Sequence, residues 1–117
     1  MVVDDSQTIR RMIALRLAND ERITIVGEAA NSYDAREKIK ALSPDVLTLD
    51  VEMPGMNGLE FLTRLMKLRP MPVVMISTRT QEGSLGAVRA LSIGALECID
   101  KQKLIRNLAS RFAWHRG

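Results

Sequence analysis

Short aliphatic runs alternate along the chain with longer segments in which apolar residues return every three or four positions. The runs fall at Met1–Asp4, Ile23–Glu28, Asp45–Asp50, Pro72–Ser77 and Leu96–Asp100. Each is short and mostly apolar, as strands of a parallel sheet covered on both faces must be. In the first intervening segment Ile9, Met12, Ile13 and Leu17 share one face, with Arg10, Arg11 and Arg16 between them and Ser6 placed as the N-cap. Ala35, Ile39 and Leu42 mark a second helix, Leu59, Leu62 and Met66 a third, and Leu104, Ile105, Leu108 and Phe112 the last. The fourth, over roughly Glu82–Ser92, is weaker, because Gly83 and Gly86 lower its helix propensity and mark a pliable segment. Breakers separate the elements at Ser43-Pro44, Met53-Pro54-Gly55, Arg69-Pro70 and Ile93-Gly94. Five βα units in succession predict an α/β fold, a doubly wound five-stranded parallel sheet with right-handed crossovers.

Length and charge narrow the reading. A chain of 117 residues with 46% hydrophobic side chains is one domain with one core, spanning residues 1–117. The net charge of +3 arises from 17 basic and 14 acidic residues scattered along the chain, which gives no ground for a nucleic-acid or membrane partner. The single cysteine, Cys98, excludes an internal disulfide and a cysteine-rich zinc site and reads as a small buried hydrophobe. With no signal-peptide pattern and no apolar run of membrane-spanning length, a soluble cytoplasmic protein is expected. Trp114 and His115 lie in a basic tail, where a lone histidine is ordinarily solvated.

In doubly wound sheets ligands bind outside the carboxyl ends of the strands. Here the first strand ends in Asp4 and Asp5, the third in Asp50, the fourth in Ser77 with Thr78 behind it, and the fifth runs into Lys101. Adjacent strands lie about 5 Å apart, so three carboxylates, a hydroxyl and an ammonium converge on one crevice. Each residue alone has a plainer reading. Asp4-Asp5-Ser6 makes an ordinary helix start, Asp50 a strand-to-turn residue, Ser77-Thr78 a self-satisfied strand end and Lys101 a solvated lysine. Their convergence from four strands is what points to a site. Crowded carboxylates call for a hard divalent cation, and Mg²⁺ fits an all-oxygen set: Asp5 and Asp50 as direct ligands, Asp4 through water, and the backbone carbonyl of Glu52 completing the shell. An aspartate beside such a metal can act as a nucleophile toward phosphorus. Asp50 is the candidate phosphoacceptor, with Lys101 neutralising the phosphoryl oxygens and Ser77 donating a hydrogen bond to them.

Val3-Asp4-Asp5-Ser6, the stretch Leu49-Asp50-Val51-Glu52-Met53-Pro54-Gly55-Met56-Asn57-Gly58 and the late Lys101 together resemble the receiver domain of two-component response regulators, over nearly the whole chain. Thr48–Pro54, Val73–Thr78 and Arg89–Ala95 look more narrowly like the receiver half of the chemotaxis protein-glutamate methylesterase. The resemblance implies a flavodoxin-like (βα)5 fold with strand order 2-1-3-4-5, an order taken over from known chemotaxis receivers rather than derived from this chain. It also implies phosphorylation of Asp50 by a sensor histidine kinase, a Mg²⁺ site at Asp4, Asp5 and Asp50, a switch hydroxyl at Ser77 and a phosphate contact from Lys101. The chain itself would then be no enzyme beyond its own phosphorylation and dephosphorylation, its partner being an output domain or chemotaxis protein. The parent could be a methylesterase. By analogy, homodimers would form through the fourth and fifth helices, where Arg106 and Arg111 pair with acids.

Three features depart from the family pattern. Gln102 follows Lys101 where the family has proline, so the loop is expected to run trans and to displace the lysine. Cys98 stands at the aromatic switch position of the fifth strand, and no output domain follows within the chain. Gln102 and Cys98 leave one rival, a degenerate receiver that binds partners without phosphorylation. The shared strand-end Asp, hydroxyl and lysine leave another, a Mg²⁺-dependent aspartyl-phosphate phosphatase, which ranks well below because its second acid would have to be Glu52 and 117 residues leave no cap domain to enclose a substrate.

Overall fold

The computed structural model describes residues 1–53, 55–77 and 85–104. Five strands form one parallel sheet: β1 (Val2–Val3), β2 (Glu28–Ala29), β3 (Leu47–Asp50), β4 (Val73–Ser77) and β5 (Glu97–Asp100). Their order is β2-β1-β3-β4-β5, so the chain reverses direction of winding beside β1 and leaves a crevice between β1 and β3. Among the described residues four helices alternate with the strands: α1 (Gln7–Ala18), α2 (Ser32–Leu42), α3 (Gly58–Leu68) and α4 (Leu85–Ile93). Residues 101–104 are also helical.

Strand alternation divides the core between the two faces. Val2 and Ile76 pack with Ile13 of α1, joined by the partly buried Ile9, Leu17 and Leu104. Val3, Leu47, Leu49, Val73 and Met75 turn to the other face. There they meet Ala35 and Ile39 of α2, Phe61, Leu62 and Leu65 of α3, and Ala90 of α4. Of the stripes read from the sequence, Ile13 of α1, Ala35 and Ile39 of α2 and Leu62 of α3 are buried and Ile9, Met12, Leu17, Leu59 and Met66 half-buried, while Leu42 at the end of α2 is 43% exposed; α3 also buries Phe61 and Leu65, which the stripe did not include.

The helices start where side chains satisfy the first free backbone amides. Ser6 Oγ accepts from Ile9 N, Asn31 Oδ1 from Asp34 N and Asn57 Oδ1 from Glu60 N. Asn57 also donates back to the Glu60 carboxylate at 3.3 Å, a reciprocal cap that fixes where α3 begins. Ser43 ends α2 in the left-handed region at φ 45°.

The second strand is shorter and later than its hydrophobic run suggests. Ile23–Glu28 is the expected segment, but only Glu28 and Ala29 pair, in register with Val2 and Val3. Ile23 and Val26 are 40% and 46% exposed. The expected fourth helix begins at Leu85 among the described residues. Ile105, Arg106, Leu108, Arg111, Phe112, Trp114, His115 and Thr78 lie outside the described residues.

Gly58 positions the site through its lack of a side chain. Its amide donates to Val51 O at 2.8 Å. A Cβ there would stand 2.1 Å from Asp50 O and 2.7 Å from Val51 Cα, both backbone atoms that cannot swing aside. Gly58→Ala should therefore lower stability by about 2–3 kcal/mol, read as a shift in the urea midpoint. It should also displace the Asp50 amide resonance more than those of α1.

Candidate functional site

The carboxyl edge of the sheet gathers the five predicted side chains around one crevice. Asp4 follows β1 directly, and its amide donates to Ala29 O of β2 at 3.0 Å, which fixes the carboxyl end of the two short strands together. Asp4 Oδ1 accepts the Ser6 amide at 2.9 Å, so the turn into α1 holds this side chain inward. Asp5, one residue on, is exposed. Asp50 ends β3 opposite Ile76 of β4, and its Oδ1 accepts the Glu52 amide at 3.1 Å. Ser77 ends β4, opposite Asp100 of β5, and its hydroxyl donates to Glu52 Oε1 at 3.2 Å.

Lys101 reaches the centre of this group. Its Nζ lies 2.8 Å from Asp4 Oδ2 and 3.3 Å from Asp50 Oδ1. The expected displacement of the lysine by Gln102 is not seen: every peptide bond among the described residues is trans, and Lys101 is buried in the pocket. Cys98 is half-buried on β5 and packs against the α2–α4 core.

Carboxylate oxygens of Asp4, Asp5 and Asp50 lie within 4.8 Å of one another. Asp4, Asp50, Ser77 and Lys101 are all buried, and Asp50 Oδ2 is a buried oxygen with no hydrogen-bond partner among the described residues. One lysine cannot balance three carboxylates. The excess of about two negative charges, beside an unpartnered hard oxygen, suits a divalent cation with an oxygen shell. Asp4, Asp5 and Asp50 are the carboxylates grouped there, and Glu52 lies on the adjoining turn.

The electrostatics follow the same imbalance. Burial pushes the Asp50 carboxyl up to about 6, reinforced by the Asp4 charge and opposed by the Glu52 amide and by Lys101. Burial alone would lower the Lys101 ammonium, but its pairing with Asp4 and Asp50 outweighs burial and raises it.

Two contributors were not apparent from sequence patterns. Arg10 reads as a solvated residue between stripe positions. In the structure its Nη1 donates to the Asp4 carbonyl at 2.7 Å, and its Nε pairs with Glu28 at 3.3 Å. It thus ties α1, β1 and β2 together beneath the pocket. The Glu52 side chain, rather than its carbonyl alone, meets Ser77.

A doubly wound sheet of this order, with clustered acids, a hydroxyl and a lysine on its carboxyl edge, has the architecture of a receiver domain. Residues 1–113 match the response regulator receiver domain family, and the chain belongs to it. It is similar to the protein-glutamate methylesterase/protein-glutamine glutaminase 1 of Caulobacter vibrioides, 54% identical over 101 residues that make up 86% of this chain and 29% of that protein. The Rhizobium johnstonii protein of the same name is 52% identical over the same shares. The chain spans less than a third of these relatives' length. Among solved structures, the response regulator domain of Thermotoga maritima CheB is similar, with a TM-score of 0.81 and 33% identity over 93% of this chain and 91% of that one. A chain of the CheX-CheY-BeF3-Mg²⁺ complex of Borrelia burgdorferi is similar at a TM-score of 0.73 and 30% identity, over 95% and 86% of the two chains. Among the described residues, no helix is long and apolar enough to cross a membrane.

The raised Asp50 carboxyl predicts how stability changes with pH when divalent cations are chelated. A folded value near 6 above an ordinary value near 4 stabilises the fold below about pH 4, and that stability is lost as pH rises through 6. At pH 7.5 in chelator, Asp50→Asn should therefore be more stable than the native chain by about 3 kcal/mol. Thermal melts should show the gap closing toward pH 4.

Proposed function

We propose that the chain is a phosphorylation-dependent switch in which Asp50 accepts a phosphoryl group from a sensor histidine kinase, with Mg²⁺ held by Asp4, Asp5, Asp50 and the Glu52 carbonyl. The observation that carries this reading is Asp50 Oδ2, buried and without a hydrogen-bond partner among the described residues, while Oδ1 is engaged by the Glu52 amide and Lys101. One oxygen is anchored and the other is left for chemistry. The similar CheX-CheY complex of Borrelia burgdorferi contains BeF3 and Mg²⁺, which supports the same assignment.

In this reading Asp50 Oδ2 attacks the phosphorus of the donor phosphohistidine. The new O–P bond forms as the P–N bond breaks, and the electron pair leaves with the donor imidazole, which takes up a proton. A bound divalent cation neutralises part of the negative charge on the phosphoryl oxygens. Lys101 offsets more of it, and its contacts to Asp4 and Asp50 hold the ammonium at the oxygens it must meet. Arg10 keeps the Asp4 backbone in place. Ser77 exchanges Glu52 for a phosphoryl oxygen, which draws the end of β4 toward Asp50. Cys98 on β5 replaces the aromatic ring of the family pattern, so the signal leaves through Ser77 and the segment after β4 rather than through ring rotation.

Similarity to the protein-glutamate methylesterases supports a role for this switch in chemotaxis, governing a methylesterase output in the cytoplasm. The test is incubation with acetyl phosphate, with and without Mg²⁺, followed by intact mass. A single base-labile adduct that needs Mg²⁺ and is absent from a folded Asp50→Ala chain is expected. No adduct on the folded native chain would reject the reading in favour of a degenerate receiver, and turnover of many phosphate donors would point to a phosphatase.

A further inference from the structure

On the face of the sheet away from α1, a groove of about 610 Å³ runs between α2 and α3. Its lining includes Ile39, Met56, Phe61, Leu65 and Leu68. Ile39, Phe61 and Leu65 are buried by the fold, but Leu68 is 84% exposed, and Tyr33 at the opposite helix is 74% exposed. Such side chains at the rim of an apolar concavity form surface that a partner can cover.

The charge around this floor is of one sign. Arg36 and Lys40 line it from α2, Arg64 and Arg69 from the α3 side, and no aspartate or glutamate among the described residues lines it. Arg69 is engaged, donating to Ile39 O and Ser43 Oγ. Arg36, Lys40 and Arg64 are exposed and make no ion pair among the described residues. Elsewhere acids and bases interleave, and Lys38 on the neighbouring face of α2 pairs with Asp34. A second copy of this chain, net positive at +3, is disfavoured as the occupant by charge.

The chemistry of the lining also selects the occupant's conformation. Arginine and lysine only donate hydrogen bonds, and the floor is aliphatic or aromatic. Side-chain acceptors are confined to Asn31, Ser32 and Tyr33, at the start of α2. A peptide lying over the floor must therefore satisfy its own backbone amides, which a helix does and an extended strand does not. We propose that the α2–α3 groove docks an acidic amphipathic helix of a partner protein, its apolar stripe on Leu65 and Leu68 and its carboxylates on Arg36, Lys40 and Arg64. This proposal does not depend on phosphorylation of Asp50.

The probe is an amidated helix-forming peptide of about 14 residues, four turns, with leucines at three- and four-residue spacing flanked by glutamates. It is titrated into the isotopically labelled 117-residue chain. Saturable binding is expected, with amide shifts concentrated on α2 and α3. Affinity should fall about tenfold or more in Arg36→Glu/Arg64→Glu, fall further with added salt and drop in Leu68→Ser, while acetyl phosphate labelling of these surface variants stays unchanged. Equal binding of a peptide with lysine at the glutamate positions would overturn the proposal, as would shifts centred on α4 and β5. So would self-association abolished by the double variant. Failure of the peptide alongside charge-dependent sedimentation with phosphatidylserine vesicles would also overturn it and assign the face to membrane.

Discussion

The architecture is organised around carboxylates that repel one another. Asp4 and Asp50 are withdrawn from water within reach of Asp5, and one buried ammonium, Lys101, stands between them. Holding like charges together costs stability unless the scaffold is stiff and a counter-charge is fixed in place. The fold supplies both. Asp4 is held by the Ser6 amide, by the backbone pairing of β1 with β2 and by Arg10 on its carbonyl. Asp50 is held by the Glu52 amide and by the register of β3 with β4. Lys101 comes from the far side of the sheet, after β5. The pocket therefore exists only when all five strands are in order, which couples the chemistry of the site to completion of the fold.

Much of this was legible in the sequence because each layer has its own period. Ile13, Ala35, Ile39 and Leu62 lie on the helical stripes they define, and Leu47, Leu49, Val73 and Met75 turn to one face of the sheet as alternation requires. The strand-end rule then brings Asp4, Asp5, Asp50, Ser77 and Lys101 together from the sequence alone. Periodicity failed where it carries no information about pairing. Ile23, Ile25 and Val26 have the composition of a strand, yet a strand needs a partner, and the residues in register with β1 on this side are Glu28 and Ala29.

Arg10 and the contact between Glu52 and Ser77 are what the pattern does not mark. Arg10 stands where a generic helix faces solvent, yet its guanidinium turns back to the buried Asp4 carbonyl, and the exposed Glu52 carboxylate reaches the buried Ser77 hydroxyl. Arg10 lies one helical turn from the Ser6 cap, close enough to Asp4 for its guanidinium to reach the strand end. The Lys101 geometry illustrates the reverse. Gln102 suggested a displaced lysine on backbone grounds, but two buried carboxylates dictate where the ammonium sits.

Gly58 has a mechanical consequence beyond local packing. Because the first residue of α3 rests directly on the backbone of Asp50 and Val51, the helix and the acid at the end of β3 form one rigid block. The contact works in both directions: whatever shifts the start of α3 shifts the acid at the end of β3 with it, so the α2–α3 side of the molecule is geared to the pocket through a single residue that has no side chain to yield.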